Sequence, residues 1–122
     1  MKHCLIVDGS SVIRKVANRI LSGSDLVVLE AATAGEAIAI CASETPDIVV
    51  VDARLPDMAS DELIRRLVAL NPHFKPQIVI CMTEFDVGTI MRARRAGARG
   101  HILKPFNRSQ LLDGFRNLDL AA

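Results

Sequence analysis

The stretch Ile48-Val49-Val50-Val51-Asp52 decides the fold of this chain. Four β-branched apolar residues in a row favour a strand, and no polar residue alternates with them. Such a run indicates a strand that is buried on both faces, as in a parallel sheet covered by helices. Asp52 directly follows the run, so the pattern predicts a carboxylate at the end of a central strand.

Working outward from this stretch, apolar runs alternate with segments of helical period. The predicted strands are residues 4–7, 26–29, 48–51, 78–82 and 100–103. Residues that often cap helices begin four of the helical segments: Ser10 or Ser11, Thr33, Asp86 and Asn107. The last helix has its apolar stripe on Leu111, Leu112, Phe115 and Leu118. This order predicts a (βα)5 α/β fold, a flavodoxin-like doubly wound sandwich with strand order 2-1-3-4-5.

Composition limits the function. The chain has 122 residues, of which 50% are hydrophobic, and a net charge of +1, so we expect a folded globular protein and no direct DNA binding. No apolar stretch approaches the ~20 residues of a membrane span, and the start does not resemble a signal peptide. We therefore expect a cytoplasmic protein that does not enter a membrane. The three cysteines lie in apolar segments and are expected to be reduced core thiols.

The functional residues are expected at the carboxyl ends of the parallel strands, where such folds hold their sites. These ends are predicted at Asp8-Gly9, Glu30, Asp52, Thr83 and Lys104. Two acids brought together, Asp8 and Asp52, repel each other unless a cation lies between them. With the Thr83 hydroxyl and the Lys104 ammonium beside them, the set suits phosphoryl transfer onto Asp52.

Four segments carry a family resemblance: LIVDGSSVIRK (5–15), VVVDARLPDM (49–58), CMTEFD (81–86) and HILKPF (101–106). They resemble the signature regions of response-regulator receiver domains, notably the CheY-like single-domain type. The resemblance extends from about residue 3 to residue 119. It implies one receiver domain over residues 1–122, without an output domain, in a two-component or chemotaxis-type system.

The resemblance also implies roles for individual residues. Asp52 would accept a phosphoryl group from a histidine kinase or phosphotransfer protein, and Lys104 would pair with the phosphoryl oxygens. Thr83 would bind another oxygen and act as a switch. Asp8, Asp52 and the backbone carbonyl of Arg54 would hold Mg²⁺. The signal would pass to a downstream protein through the face of helix 4, strand 5 and helix 5. The protein would not be an enzyme beyond its own phosphorylation and dephosphorylation.

His101 stands where the family has an aromatic switch residue. Histidine has a smaller apolar body than tyrosine or phenylalanine, and its charge titrates near neutral pH. A pH-sensitive switch and an ordinary surface histidine are both compatible with the sequence.

The sequence departs from the family pattern around Asp52. Gly9 replaces the second of two adjacent acids, which predicts a weak magnesium site, since water brings no negative charge in its place. Arg54 is either a solvated loop residue or a cation that neutralises the two acids instead of a metal. Ala59 and Ser60 stand where the family has Asp-Gly, which predicts a different turn.

Two functions of different class therefore remain open at this stage. The protein is either a working phospho-receiver with weak Mg²⁺ binding, or an atypical receiver that acts as an adaptor largely without phosphorylation.

Four arginines also crowd into the predicted helix 4 and the loop after it: Arg92, Arg94, Arg95 and Arg99. Arg92, Arg95 and Arg99 would share one face if the helix continued past Gly97. The cluster is a solvated basic face, a patch for an acidic protein, or a nucleotide site. The last idea rests on Arg95 and Arg99, whose Arg-x-x-x-Arg spacing is similar to that of some cyclic di-GMP sites.

Overall fold

The computed structural model describes residues 2–22 and 25–115 of the chain. Within them, strands and helices alternate in the predicted order. The strands are β1 (Lys2–Val7), β2 (Leu26–Ala31), β3 (Ile48–Asp52), β4 (Gln77–Met82) and β5 (Gly100–Leu103). The helices are α1 (Ser11–Leu21), α2 (Ala34–Ser43), α3 (Ser60–Ala69), α4 (Val87–Ala96) and α5 (Arg108–Gly114). Leu118, predicted in the last apolar stripe, lies outside the described residues. No helix of the described ranges is long and apolar enough to span a bilayer.

The strands form one parallel sheet with the order β2-β1-β3-β4-β5, which confirms the predicted flavodoxin-like architecture. β1 and β3 are neighbours, and Val7 pairs with Val51. The residues that follow this pair are Asp8 and Asp52. The crossover topology thus brings together two acids that are far apart in the sequence.

The core has two layers because successive side chains of a strand point to opposite faces. In β3, Val49 and Val51 pack against α2, α3 and α4, whereas Ile48 and Val50 pack against α1 and α5. All five residues of β3 are buried, as the unbroken apolar run predicts. A strand held on both faces gives Asp52 a rigid base.

Four helices begin with a side-chain cap. Ser10, Thr33, Asp86 and Asn107 each accept a hydrogen bond from the backbone N–H three residues later. α3 differs from them, because its N-cap residue is Ala59, which has no side-chain oxygen to offer.

Gly97 terminates α4 with a φ of 129°, a backbone conformation that favours glycine. A larger residue would also clash there, because a Cβ at this position would lie 2.9 Å from Val68 Cγ2. Arg99 therefore lies beyond the helix and does not share a helical face with Arg92 and Arg95.

Candidate functional site at the carboxyl edge of the sheet

Lys104 joins the two predicted acids. Its ammonium lies 2.9 Å from Asp8 Oδ2 and 3.2 Å from Asp52 Oδ1. The three side chains are 10%, 5% and 12% exposed, respectively, so the charges are shielded from most of the solvent. Two carboxylates and one ammonium leave the centre of the site with one net negative charge.

The environment of Asp52 disfavours its ionised form. Burial raises the pKa of Asp52, and the negative charge of Asp8 raises it further, although Lys104 acts in the opposite direction. For Lys104, burial alone would lower the pKa, but hydrogen bonds and charges from Asp8 and Asp52 outweigh burial and raise it. Lys104 is therefore a cation at neutral pH, whereas folding makes the ionised form of Asp52 less favourable than it is in the unfolded chain.

The loop that carries Asp8 is fixed by its own hydrogen bonds. The backbone N–H of Ser10 donates to Asp8 Oδ1 at 2.8 Å, and Arg14 Nη1 donates to the Asp8 carbonyl at 2.8 Å. Arg14 also pairs with Glu30 at 3.3 Å. Sequence reasoning missed Arg14. Its position on α1 could have indicated this role, because the helical period turns the Arg14 side chain toward Glu30 of β2.

Glu30 does not belong to the site, although it was among the predicted strand ends. β2 continues to Ala31, so Glu30 lies within the strand and faces α1. There it accepts hydrogen bonds from Asn18 and Lys15 as well as from Arg14. The hydrogen bond from Asn18 is the largest cause that lowers the pKa of Glu30. Its role is to hold α1 against the sheet.

An open cavity of about 560 Å³ lies beside Asp52. Thr83 and Lys104 line it together with Arg54, and its rim is formed by the loop of residues 84–86 and by Val87 at the start of α4. Thr83 is exposed and follows β4 directly. The cavity therefore brings the predicted acid, hydroxyl and lysine to one space that a phosphoryl group can enter.

Arg54 does not act as the counter-ion of the acids. Its side chain is exposed, and within the described residues it forms an ion pair with neither Asp8 nor Asp52. Its backbone N–H donates to Asp52 Oδ1 at 3.3 Å. Of the two interpretations of Arg54, the structure favours the solvated loop residue, because Lys104 already occupies the position between the carboxylates.

The donor set fits a magnesium ion with few protein ligands. Asp8 and Asp52 supply carboxylate oxygens, and one or two carboxylates are a common protein contribution to Mg²⁺, which keeps several waters. Among the described residues, no group of three acidic, histidine or cysteine side chains is arranged to hold a metal. Lys104 also competes for the same oxygens. The residues present therefore suit a cation that binds weakly.

The loop between β3 and α3 is anchored by Asp57, which sequence reasoning did not single out. Its carboxylate accepts hydrogen bonds from the backbone N–H groups of Ala34 at 2.9 Å and Gly35 at 3.0 Å, at the start of α2. These bonds lower the pKa of Asp57. Apart from glycines, no described residue has a positive φ, and Ser60, which stands where the family has glycine, is the first residue of α3, so no left-handed residue is needed where the glycine is missing.

His101 is half-buried and contacts one aromatic ring. The ring of Phe85 meets it edge to face, with 5.7 Å between the ring centres. Phe85 is 61% exposed and lies on the rim of the Asp52 cavity. This contact links β5 to the loop that follows Thr83, which is where a switch would have to act.

The arginine cluster is on the surface. Arg92, Arg94 and Arg95 lie on α4 and Arg99 follows it, and all four side chains are exposed. Two apolar side chains of the same helix, Val87 and Met91, are 56% and 47% exposed. The surface is basic with apolar patches.

Together, the fold and the site define the class of doubly wound α/β proteins that work at the carboxyl edge of the sheet, with two acids and a lysine. The family model of the response regulator receiver domain matches residues 4–116. The chain belongs to this family.

Relatives of nearly the same length support the assignment. The chemotaxis protein CheY of Thermotoga maritima is 29% identical over 96% of this chain and 97% of its own length. CheY of Listeria monocytogenes is 32% identical, over 93% of this chain and 94% of its own length. Sporulation initiation phosphotransferase F of Bacillus subtilis is 28% identical, over 92% of this chain and 89% of its own length.

Solved structures agree with the fold. Chemotaxis protein CheY4 of Vibrio cholerae has a TM-score of 0.84 and 28% identity, and the match covers 93% of this chain and 94% of that one. A CheY-like receiver of Methanospirillum hungatei has a TM-score of 0.84 and 31% identity, over 93% and 89%. The chain is thus similar to receivers of CheY-like response regulators in two-component signalling. None of these relatives is described as binding cyclic di-GMP, and that hypothesis has no support.

Proposed function

We propose that the chain is a single-domain response regulator of the cytoplasm that accepts a phosphoryl group on Asp52. The observation that carries this proposal is the position of the Lys104 ammonium, 3.2 Å from Asp52 Oδ1, at the wall of an open cavity that Thr83 also lines. Similarity to chemotaxis CheY proteins and to a sporulation phosphotransferase supports the same chemistry.

The transfer needs little covalent chemistry from the protein. A carboxylate oxygen of Asp52 attacks phosphorus, the bond from phosphorus to the donor's histidine nitrogen breaks, and the nitrogen keeps the electron pair. Lys104 supplies a compact positive charge to the phosphoryl oxygens as they arrive. The partial burial of Asp52 limits competition from water. A bound Mg²⁺ would supply further charge neutralisation, held by Asp8, Asp52 and the Arg54 carbonyl.

The signal leaves the site through Thr83 and the loop after it. A phosphoryl group adds negative charge and acceptor oxygens on the wall that Thr83 occupies, and the hydroxyl moves to donate to it. Phe85, in the same loop, contacts His101 of β5, so a shift of the loop changes the surface of α4 and β5. The exposed arginines of that surface suit an acidic partner. A histidine kinase or phosphotransfer protein is the partner on the input side.

Beryllofluoride, which mimics a phosphoryl group on a carboxylate, tests this proposal by ¹H–¹⁵N NMR in the presence of MgCl₂. We expect shifts at Thr83, Lys104 and His101 in the wild type, and none in Asp52→Asn. Asp57→Asn is the matched control, since it alters an aspartate of the same loop outside the cavity. A wild type that is indistinguishable from Asp52→Asn removes the phospho-receiver function.

A second function is favoured by one observation, the two-acid site in which Gly9 contributes no ligand. In this alternative the chain is an adaptor that binds its partner through the α4 surface without phosphorylation. Equal affinity of wild type and Asp52→Asn for that partner, with and without a phosphodonor, would support the adaptor.

A further inference from the structure

The chain leaves the sheet at Asp8, so the sheet alone does not fix this residue. The pairing of β1 with both of its neighbours ends at Val7, and the Asp8 N–H then donates to the Ala31 carbonyl at 3.0 Å. Gly9 follows and is exposed, and a Cβ there would meet only Ala32 O, at 3.9 Å. Glycine has more backbone freedom than any other residue. The peptide group between Asp8 and Gly9 therefore needs a partner that fixes its orientation.

Arg14 is that partner. Its Nη1 atom donates a hydrogen bond to the Asp8 carbonyl oxygen at 2.8 Å. Hydrogen bonds from a charged donor are stronger than those between neutral groups, and the Arg14 side chain is only 17% exposed, which limits competition from water. The backbone N–H of Ser10 contacts Asp8 Oδ1, and the Lys104 ammonium contacts Oδ2. Asp8 is thus held at its carbonyl and at both carboxylate oxygens.

Glu30 orients Arg14. The Nε atom of Arg14 donates to Glu30 Oε1 at 3.3 Å. Asn18 and Lys15 donate to the other oxygen of Glu30, at 2.9 and 3.1 Å. The hydrogen bond from Asn18, more than any other contact, lowers the pKa of Glu30, so this carboxylate is ionised at neutral pH. The planar guanidinium has donors that point in fixed directions, so one edge that is bound to β2 aims another at Asp8.

We propose that Arg14, oriented by Glu30, is a positioning residue for Mg²⁺: it holds Asp8 so that its carboxylate meets the ion that Asp52 also binds. The inference rests on the proposed phosphoryl transfer, in which Mg²⁺ neutralises charge. Because Gly9 supplies no acid, ion binding depends strongly on the orientation of Asp8. Groups that hold a metal ligand in place commonly change metal affinity by about 10–100-fold.

Charge and positioning predict opposite effects of removing Arg14. The guanidinium is a cation near the site of another cation, and like charges repel each other. Through charge alone, loss of Arg14 would therefore strengthen Mg²⁺ binding. Through positioning, its loss weakens Mg²⁺ binding, because the Asp8 peptide can then rotate. The sign of the change separates the two effects.

Titration of the full chain with MgCl₂, at constant ionic strength and without a phosphodonor, tests the proposal by ¹H–¹⁵N NMR. We expect saturable shifts at the amides of Gly9, Ser10 and Arg54 in the wild type. Arg14→Gln should weaken Mg²⁺ binding about tenfold. Arg14→Lys should recover part of this loss, since its ammonium can still donate to the Asp8 carbonyl but lacks the second edge that binds Glu30.

Arg108→Gln is the matched control. Arg108 Nη1 donates to the Ile20 carbonyl at 2.7 Å, so this variant loses the same kind of bond near the opposite end of α1 and should keep the affinity of the wild type. Glu30→Gln should weaken Mg²⁺ binding, but it should add little to Arg14→Gln, since both changes act through the same contact. Thermal unfolding shows whether each variant is folded.

Four results would overturn the inference: no Mg²⁺ binding by the wild type, affinity in Arg14→Gln equal to or tighter than in the wild type, no recovery in Arg14→Lys, and an equal loss in Arg108→Gln. A wild type that binds Mg²⁺ but gives no response to beryllofluoride counts against the proposed function instead. The two failures are therefore distinguishable.

Discussion

The Nζ atom of Lys104 donates a hydrogen bond to Asp52 Oδ1 across 3.2 Å, although 52 positions separate the two residues in the chain. The contact depends on the parallel sheet, which places the ends of β3 and β5 at one edge. The Lys104 ammonium offsets part of the negative charge of Asp8 and Asp52, which would otherwise repel each other at this edge.

Replacing Lys104 with methionine removes this cation and keeps the length of the side chain. Asp8 and Asp52 are then two buried acids without compensation, so we expect a loss of about 2–4 kcal/mol in the free energy of unfolding at pH 7. MgCl₂ should recover part of the loss, because the freed oxygens bind the ion more tightly. Urea unfolding with and without MgCl₂ measures both effects. Lys15→Met is the control, since the Lys15 side chain is 72% exposed and its ion pair contributes little.

Gly9→Asp should restore a third acid. A Cβ at Gly9 would meet only the Ala32 carbonyl oxygen, at 3.9 Å, so the side chain fits without strain. We expect Mg²⁺ to bind about tenfold more tightly, which corresponds to about 1.4 kcal/mol. Isothermal titration calorimetry checks this, with Gly9→Asn as the uncharged control of the same shape. Equal affinity in Gly9→Asp and wild type would mean that Gly9 does not limit the site.

Asp52→Asn should stabilise the protein at neutral pH. The pKa of Asp52 is raised in the folded state by burial and by Asp8, so folding favours the protonated acid. The penalty is complete above the raised pKa and disappears as the pH falls below the ordinary value of 3.8. We expect a gain on the order of 1 kcal/mol at pH 7, the usual size of a single-residue effect, and a smaller gain at acid pH. Urea unfolding at several pH values measures the difference.

Asp57→Asn should have the opposite effect. The pKa of Asp57 is lowered by its hydrogen bonds from Ala34 and Gly35, so it stabilises the fold above its ordinary pKa and loses this effect as the pH falls through the lowered value. The amide has one acceptor oxygen in place of two, and the melting temperature at pH 7 should decrease. Circular dichroism at pH 7 and at pH 3 checks whether the difference between variant and wild type closes in acid.

Much of the fold and part of the site could be predicted because they follow from local pattern. The apolar run before Asp52 predicts its strand, its burial and its place at the edge of the sheet, and capping residues such as Thr33 and Asn107 predict where helices begin. The convergence of Asp8 and Lys104 follows from the flavodoxin-like strand order that the alternation of strands and helices predicted. Glu30 was misplaced because β2 extends two residues further than its apolar run.

What the sequence left open depends on contacts between distant side chains. Either Arg54 or Lys104 could pair with Asp8 and Asp52, and which one does so depends on the distances between side chains, which only the three-dimensional structure shows. The anchoring of the loop by Asp57 at the start of α2 has no local signal, since an exposed loop aspartate is common. Ala59 and Ser60 were visible in the sequence as a departure from the family's Asp-Gly, but the sequence did not show that α3 begins without a side-chain cap.

The most direct test of the account is incubation of the protein with acetyl phosphate and MgCl₂, followed by peptide mapping in a mass spectrometer. The account predicts one phosphoryl group, located on Asp52, with incorporation lost in Asp52→Asn and strongly reduced in Lys104→Met but retained in Asp57→Asn. A wild-type protein that gains no phosphoryl group, or gains it equally when Asp52 is replaced, would contradict it.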